Sequence, residues 1–107
     1  MGEFEHLVLL AILRLSDEAY GASVFEELTG HTNRPILRPA VYNSLRRLEA
    51  KGLVRSELGD PTPERGGRAK RFVQLTAGGM SVLHDSRRTL LSLWDGVATE
   101  IDGATEG

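Results

Sequence analysis

Cysteine is absent from this chain, which excludes disulfides and thiolate metal sites and fits a reducing cytoplasm. Long apolar runs are missing too. The longest, Leu7 to Leu13, stops at Arg14, far short of the roughly 20 residues needed to span a bilayer. Glu3, Glu5 and His6 precede it where a secretion signal would carry basic residues, and no small-residue cleavage site follows. The expected location is therefore the cytoplasm, with no membrane partner. Histidine is scarce: His6, His31 and His84 fall on three separate elements without metal-ligand spacing, so neither a metal nor another cofactor is expected. Catalytic groupings are lacking as well. Ser16 with Asp17 and Glu26 with Glu27 are sequence neighbours whose side chains diverge, which disfavours an enzyme. A nucleotide-binding G-x-x-x-x-G-K-[ST] loop does not occur.

What the sequence does hold is a strong charge division. Of its 13 basic residues, ten lie between Arg34 and Arg71, among only four acids (Glu49, Glu57, Asp60 and Glu64). That segment carries +6 and the remainder −8, although the whole chain is only −2. Concentrated cations beside an acidic body are the footprint of a surface that meets a polyanion, above all nucleic acid.

The 107 residues form one predicted unit, with no internal repeat and no linker. Phe4 to Leu15 reads as a helix that is apolar almost all round and must be covered on more than one side. A second helix is expected from Tyr20 to Thr29, with Val24, Phe25 and Leu28 inward and Gly30 as its C′ stop. Pro39 suits the first position of a third helix, running to Lys51 and halted by Gly52. Its inner face is Val41, Leu45 and Leu48. The period then changes: Leu53 to Leu58 and Arg71 to Leu75 read as strands around a Pro- and Gly-rich loop. Thr76 is the predicted N-cap of a last helix from Ala77 to Thr99, despite Gly78 and Gly79 in its first turn, and Asp102 to Gly107 reads as a frayed tail. The expected fold is mainly α with a small β-hairpin (α+β). A winged helix-turn-helix over about residues 3–75 leads into a long C-terminal dimerisation helix over about 76–101, and 102–107 follow as the tail.

In that arrangement the third helix enters the major groove and the hairpin lies along the backbone or minor groove. Burial of Val41, Leu45 and Leu48 turns Arg38, Pro39, Tyr42, Asn43, Arg46 and Arg47 outward. Asn and Arg can each bond a base edge in two places, and a Tyr hydroxyl can hold phosphate. Base reading falls on Arg38, Tyr42, Asn43 and Arg46; Arg47 and Lys51 are either phosphate contacts or solvated charges. Tyr42 is alternatively half-buried against the second helix. The wing places Arg65, Arg68, Lys70 and Arg71 about Gly66 and Gly67, where long cations reach a groove and glycines let the backbone approach. The expected partner is double-stranded DNA. The alternative is a winged-helix protein-protein interaction module that uses the same surface on an acidic partner, without specific DNA binding.

On the last helix, Met80, Leu83, Arg87, Leu90, Trp94, Val97 and Ile101 follow 3-4-3-4 spacing, a heptad stripe with one polar member. Together with Leu7 and Leu10 of the first helix it predicts a two-fold homodimer interface. Arg87 either pairs across it with an acid such as Asp85 or turns to solvent. Trp94, the only tryptophan, is either dimer core or one wall of a slot for a flat aromatic effector near the two-fold axis.

Ala19-Tyr20-Gly21, Ala40-Val41-Tyr42, Lys51-Gly52-Leu53-Val54 and, above all, Gly66-Gly67-Arg68-Ala69-Lys70-Arg71 resemble the PadR family of bacterial transcriptional regulators, over about residues 2–97. The resemblance implies a dimeric repressor of the short subgroup with one C-terminal helix, released from DNA by a small molecule bound near the dimer interface. It also agrees with an aromatic slot at Trp94. Pro39 stands where that family often has a small residue, and Phe72-Val73 where it often has tyrosines.

Overall fold

The first helix, α1 (Glu3–Leu15), has two apolar faces with different fates. Val8, Leu9, Ala11 and Ile12 are buried, while Leu10 and Leu13 remain 40% and 46% exposed. An all-round apolar helix thus supplies both the core and an outer stripe. Ser16, at φ 54°, ends α1 and leads through a short 3₁₀ turn to α2 (Gly21–His31). The backbone N–H of Tyr20 donates to Ser23 Oγ at 2.9 Å, the return arm of a capping box that fixes the start of α2.

The computed structural model describes residues 2–59 and 69–106. Within it α2 passes through Gly30 and ends at His31, so Gly30 is not the C′ stop expected from the sequence. The Thr32 hydroxyl instead donates to the Leu28 carbonyl at 3.0 Å, satisfying an end carbonyl without a left-handed residue. The third helix, α3 (Arg38–Ala50), has Pro39 in its first turn and stops at Gly52, whose φ of +76° is the left-handed conformation expected there. Strands β1 (Val54–Leu58) and β2 (Arg71–Leu75) pair antiparallel, Val54 opposite Leu75 and Leu58 opposite Arg71. Tyr20 adds a one-residue bridge to Phe72, and Val73 N–H donates to Ala19 O at 2.9 Å, so β2 is stitched to the start of α2.

Val41, Leu45 and Leu48 of α3 close the core with Val24 and Leu28 of α2, Val54 of β1 and Val73 of β2. Thr76 caps α4 (Ala77–Trp94) as expected, accepting from Gly79 N–H at 3.1 Å, and its own hydroxyl donates to Gly52 O at 2.6 Å. Of the two glycines that weaken this helix start, Gly79 has a packing reason. A Cβ on Gly79 would collide with the Leu53 carbonyl oxygen and lie 3.2 Å from its carbon.

One expected feature is replaced. The terminal helix does not run on to Thr99: it breaks at Asp95 to Val97, with Gly96 at φ +83°, and α5 (Ala98–Glu106) follows. The segment read as a frayed tail is helical as far as Glu106. The heptad stripe is therefore continuous only from Met80 to Trp94; Val97 lies in the break and Ile101 on the next helix.

Candidate nucleic-acid interface

Three elements meet on one side of the molecule: the N-terminus of α2, the outer face of α3 and strand β2. Tyr20, Gly21, Tyr42, Arg46, Glu49, Ser56, Lys70 and Arg71 are among the residues that line a groove of about 590 Å³ between them. Arg38, Pro39, Tyr42, Asn43 and Arg46 are all exposed on α3, because the 3.6-residue period that buries Val41, Leu45 and Leu48 turns them away from the core.

Each side chain is held from below. Tyr42 lies over Gly21, whose missing Cβ leaves room for the ring; a Cβ there would stand 2.7 Å from Cζ and 2.8 Å from the hydroxyl oxygen. The ring and hydroxyl of Tyr42 thus both lie against the start of α2, while the residue as a whole stays 42% exposed. The Arg38 guanidinium sits 4.4 Å from the Phe25 ring centre, and the Arg46 guanidinium donates to the Asn43 side-chain oxygen one turn earlier. On the wing, Lys70 Nζ stands 4.2 Å from the Tyr20 ring centre, and Tyr20 meets Phe72 edge-on at 5.7 Å. Ser56 donates to the Glu49 carboxylate at 2.9 Å and accepts from Arg71 at 3.2 Å, tying the end of α3 to both strands. Arg65, Gly66, Gly67 and Arg68 lie outside the described residues.

Arg47 and Lys51 are placed differently. Lys51 Nζ donates to Glu5 Oε2 at 2.8 Å and Arg47 Nε to Glu5 Oε1 at 3.4 Å, so both turn toward α1. The Lys51 hydrogen bond holds the Glu5 carboxyl below its ordinary pKa, against the opposing effect of burial. Sequence reasoning missed Glu5. Tyr20 and Gly21 it met only as a dipeptide, whose use as a platform for Lys70 and Tyr42 appears once α2, α3 and β2 are packed.

A second concavity, about 550 Å³, lies between α1 and α4. His6, Leu10, Met80, Leu83, His84, Arg87, Leu90 and Trp94 are among its lining residues, whereas Leu7 is half-buried against the core. Histidines that are remote in sequence thus share one cavity, yet no group of three metal-binding side chains occurs among the described residues. Asp85 lies on another face of α4, beside Arg88 and Thr89, and Arg87 makes no ion pair among the described residues. No described helix is long and apolar enough to cross a membrane.

The profile of the transcriptional regulator PadR-like family matches residues 9–85, most of the chain and all of its helix-turn-helix core. The chain belongs to the PadR-like family. The structure is similar to a PadR family transcriptional regulator from Eggerthella lenta, at 31% identity and a TM-score of 0.68 over 89% of this chain and 80% of that one. It shares its fold with a PadR family regulator from Clostridium difficile (20% identity, TM-score 0.71, 90% and 98% covered). It shares it also with Bacillus subtilis PadR in complex with operator DNA (20% identity, TM-score 0.61, 79% and 46% covered). No curated protein matches the sequence significantly. In PadR-like terms, α2 and α3 form the helix-turn-helix of a winged helix-turn-helix and the β1–β2 hairpin its wing.

Proposed function

We propose that this PadR-like regulator is a sequence-specific DNA-binding repressor that acts as a homodimer on a palindromic operator and is released by a small aromatic ligand. One observation carries the DNA reading. Arg38, Tyr42, Asn43 and Arg46 stand exposed on α3, and Tyr42 and Arg46 share a groove with Lys70 and Arg71 of the wing, a base-reading face next to a phosphate-holding one. The operator DNA held by the Bacillus subtilis relative supports the same use of the fold. Arg65, Gly66, Gly67 and Arg68 extend the wing's positive charge in sequence.

The dimer reading draws on the outer stripe. Leu10, Met80, Leu90, Trp94, Val97 and Ile101 are 40–51% exposed, and Leu10, Met80, Leu90 and Trp94 line one concavity, the kind of exposed apolar surface that marks an interaction site. Leu83, expected in the interface from its spacing, is 7% exposed and packs into the protomer's own core, whereas Arg87 lies on the same stripe. Two protomers joined there would present two α3 helices to half-sites roughly 34 Å apart. For the ligand, Trp94 supplies an aromatic wall to the cavity between α1 and α4, and Arg87 supplies a cation.

Fluorescence anisotropy with duplex DNA over a range of salt tests the DNA reading. Affinity should fall steeply as salt rises, since each phosphate contact releases counterions. Changing Arg65, Arg68 and Lys70 together to alanine should weaken binding to all sequences, whereas Asn43→Ala should chiefly relax sequence preference. Unchanged DNA retention in the triple variant would contradict the wing's role. Trp94 fluorescence that stays constant across planar aromatic compounds would contradict the slot.

A further inference from the structure

We propose that Glu5 is an internal stand-in for DNA phosphate, withholding Arg47 and Lys51 from the duplex and so determining how much of the recognition helix binds non-specifically. The inference rests on the DNA reading above. Glu5 belongs to the inward stripe of α1 and its side chain is only 12% exposed, but it carries a carboxylate among Val8, Leu9 and Ile12. A charge in that position is tolerated only when paired. Its partners come from α3: Lys51 at 2.8 Å and Arg47 at 3.4 Å, with Arg47 held further by a 3.1 Å bond from Nη2 to the buried Ser44 hydroxyl.

The cations of α3 are thereby divided. Arg38 and Arg46, exposed on its outer face, rest on an aromatic ring and a neutral amide, which leave their positive charge uncompensated. Arg47 and Lys51, on the side that meets α1, share one anion, each bonded to a different oxygen of the Glu5 carboxylate, the kind of acceptor that a phosphate also offers. Non-specific DNA affinity comes almost wholly from phosphate contacts. Neutralising the cations that face α1 lowers that background and leaves the base-reading face untouched, so Glu5 raises discrimination without touching DNA.

The test is the salt dependence of binding to a 30-base-pair duplex of random sequence. Glu5→Gln keeps the shape and removes the charge; its half-exposed partners can rehydrate, so the fold should survive. Its log–log salt slope should steepen by about one to two, roughly 0.9 for each cation released to phosphate, with tighter binding at low salt. Glu5→Gln combined with Arg47→Gln and Lys51→Gln should return to the wild-type slope. Lys51→Gln alone, with Arg47 still holding Glu5, should leave the wild-type slope unchanged. A slope that drops by about 0.9 in Lys51→Gln, or one that does not move in Glu5→Gln, overturns the inference while leaving DNA binding intact. Wild-type protein that binds no duplex at low salt overturns the DNA reading and this inference with it.

Discussion

Tyr42 can lie across the start of α2 because Gly21 has no side chain, and it remains 42% exposed on the outer face of α3. In Gly21→Ala the new methyl meets the far end of a side chain that can swing away, so folding stability should fall by less than about 1 kcal/mol while duplex affinity falls about tenfold. Binding and melting measured on one sample separate the two effects. Gly79→Ala is the contrasting case, because its methyl meets the Leu53 backbone, which cannot swing. A loss of about 2 kcal/mol and a melting point lower by several degrees are expected. Glu5 supplies a pH signature. Its carboxyl titrates lower folded than unfolded, so its contribution is present above the ordinary carboxylate pKa and disappears as pH falls through the folded value. The advantage of wild type over Glu5→Gln in urea denaturation should accordingly shrink between pH 7 and about pH 3. At this scale the outward set on α3 was legible from the spacing of Val41, Leu45 and Leu48. Glu5 was not, because its partners stand 42 and 46 residues away and meet it only after α1 and α3 pack.

Among the elements, the helix starts and stops that rest on local chemistry were legible: Pro39 in the first turn of α3, Gly52 at its end, Thr76 capping α4. Gly30 shows the limit of that reasoning, since a glycine can sit in a helix interior when a hydroxyl such as that of Thr32 closes the end instead. The break at Gly96 was hidden for another reason. Apolar spacing registers which face a residue takes, and Val97 and Ile101 keep the heptad spacing even though the backbone between them and Trp94 turns at a left-handed glycine. Continuous stripe positions before the break should therefore carry most of the self-association. Leu90→Glu, at a position 46% exposed in the protomer, should shift the protein to monomer in sedimentation and leave the protomer's thermal unfolding cooperative. An unchanged sedimentation coefficient would remove the seam from the interface.

The molecule as a whole is drawn out, 53 × 30 × 20 Å, with a radius of gyration of 16.3 Å, against roughly 13 Å for a compact domain of this length. In the proposed dimer that shape would let α4 reach toward a second copy while the cationic face stays on α3 and β2. The division of charge seen in the sequence follows the same plan, cations concentrated from Arg34 to Arg71 and acids predominating elsewhere, with Glu3 and Glu5 of α1 pairing across it to Arg34, Arg47 and Lys51. The central claim is that this shape reads a palindrome in duplex DNA. Selection of bound sequences from a random duplex pool, at a salt concentration that suppresses non-specific contacts, tests it most directly. The account predicts enrichment of an inverted repeat with half-site centres about one helical turn apart, bound by two protomers. A pool that emerges without any enriched sequence, or with a single unrepeated half-site bound by one protomer, would contradict it.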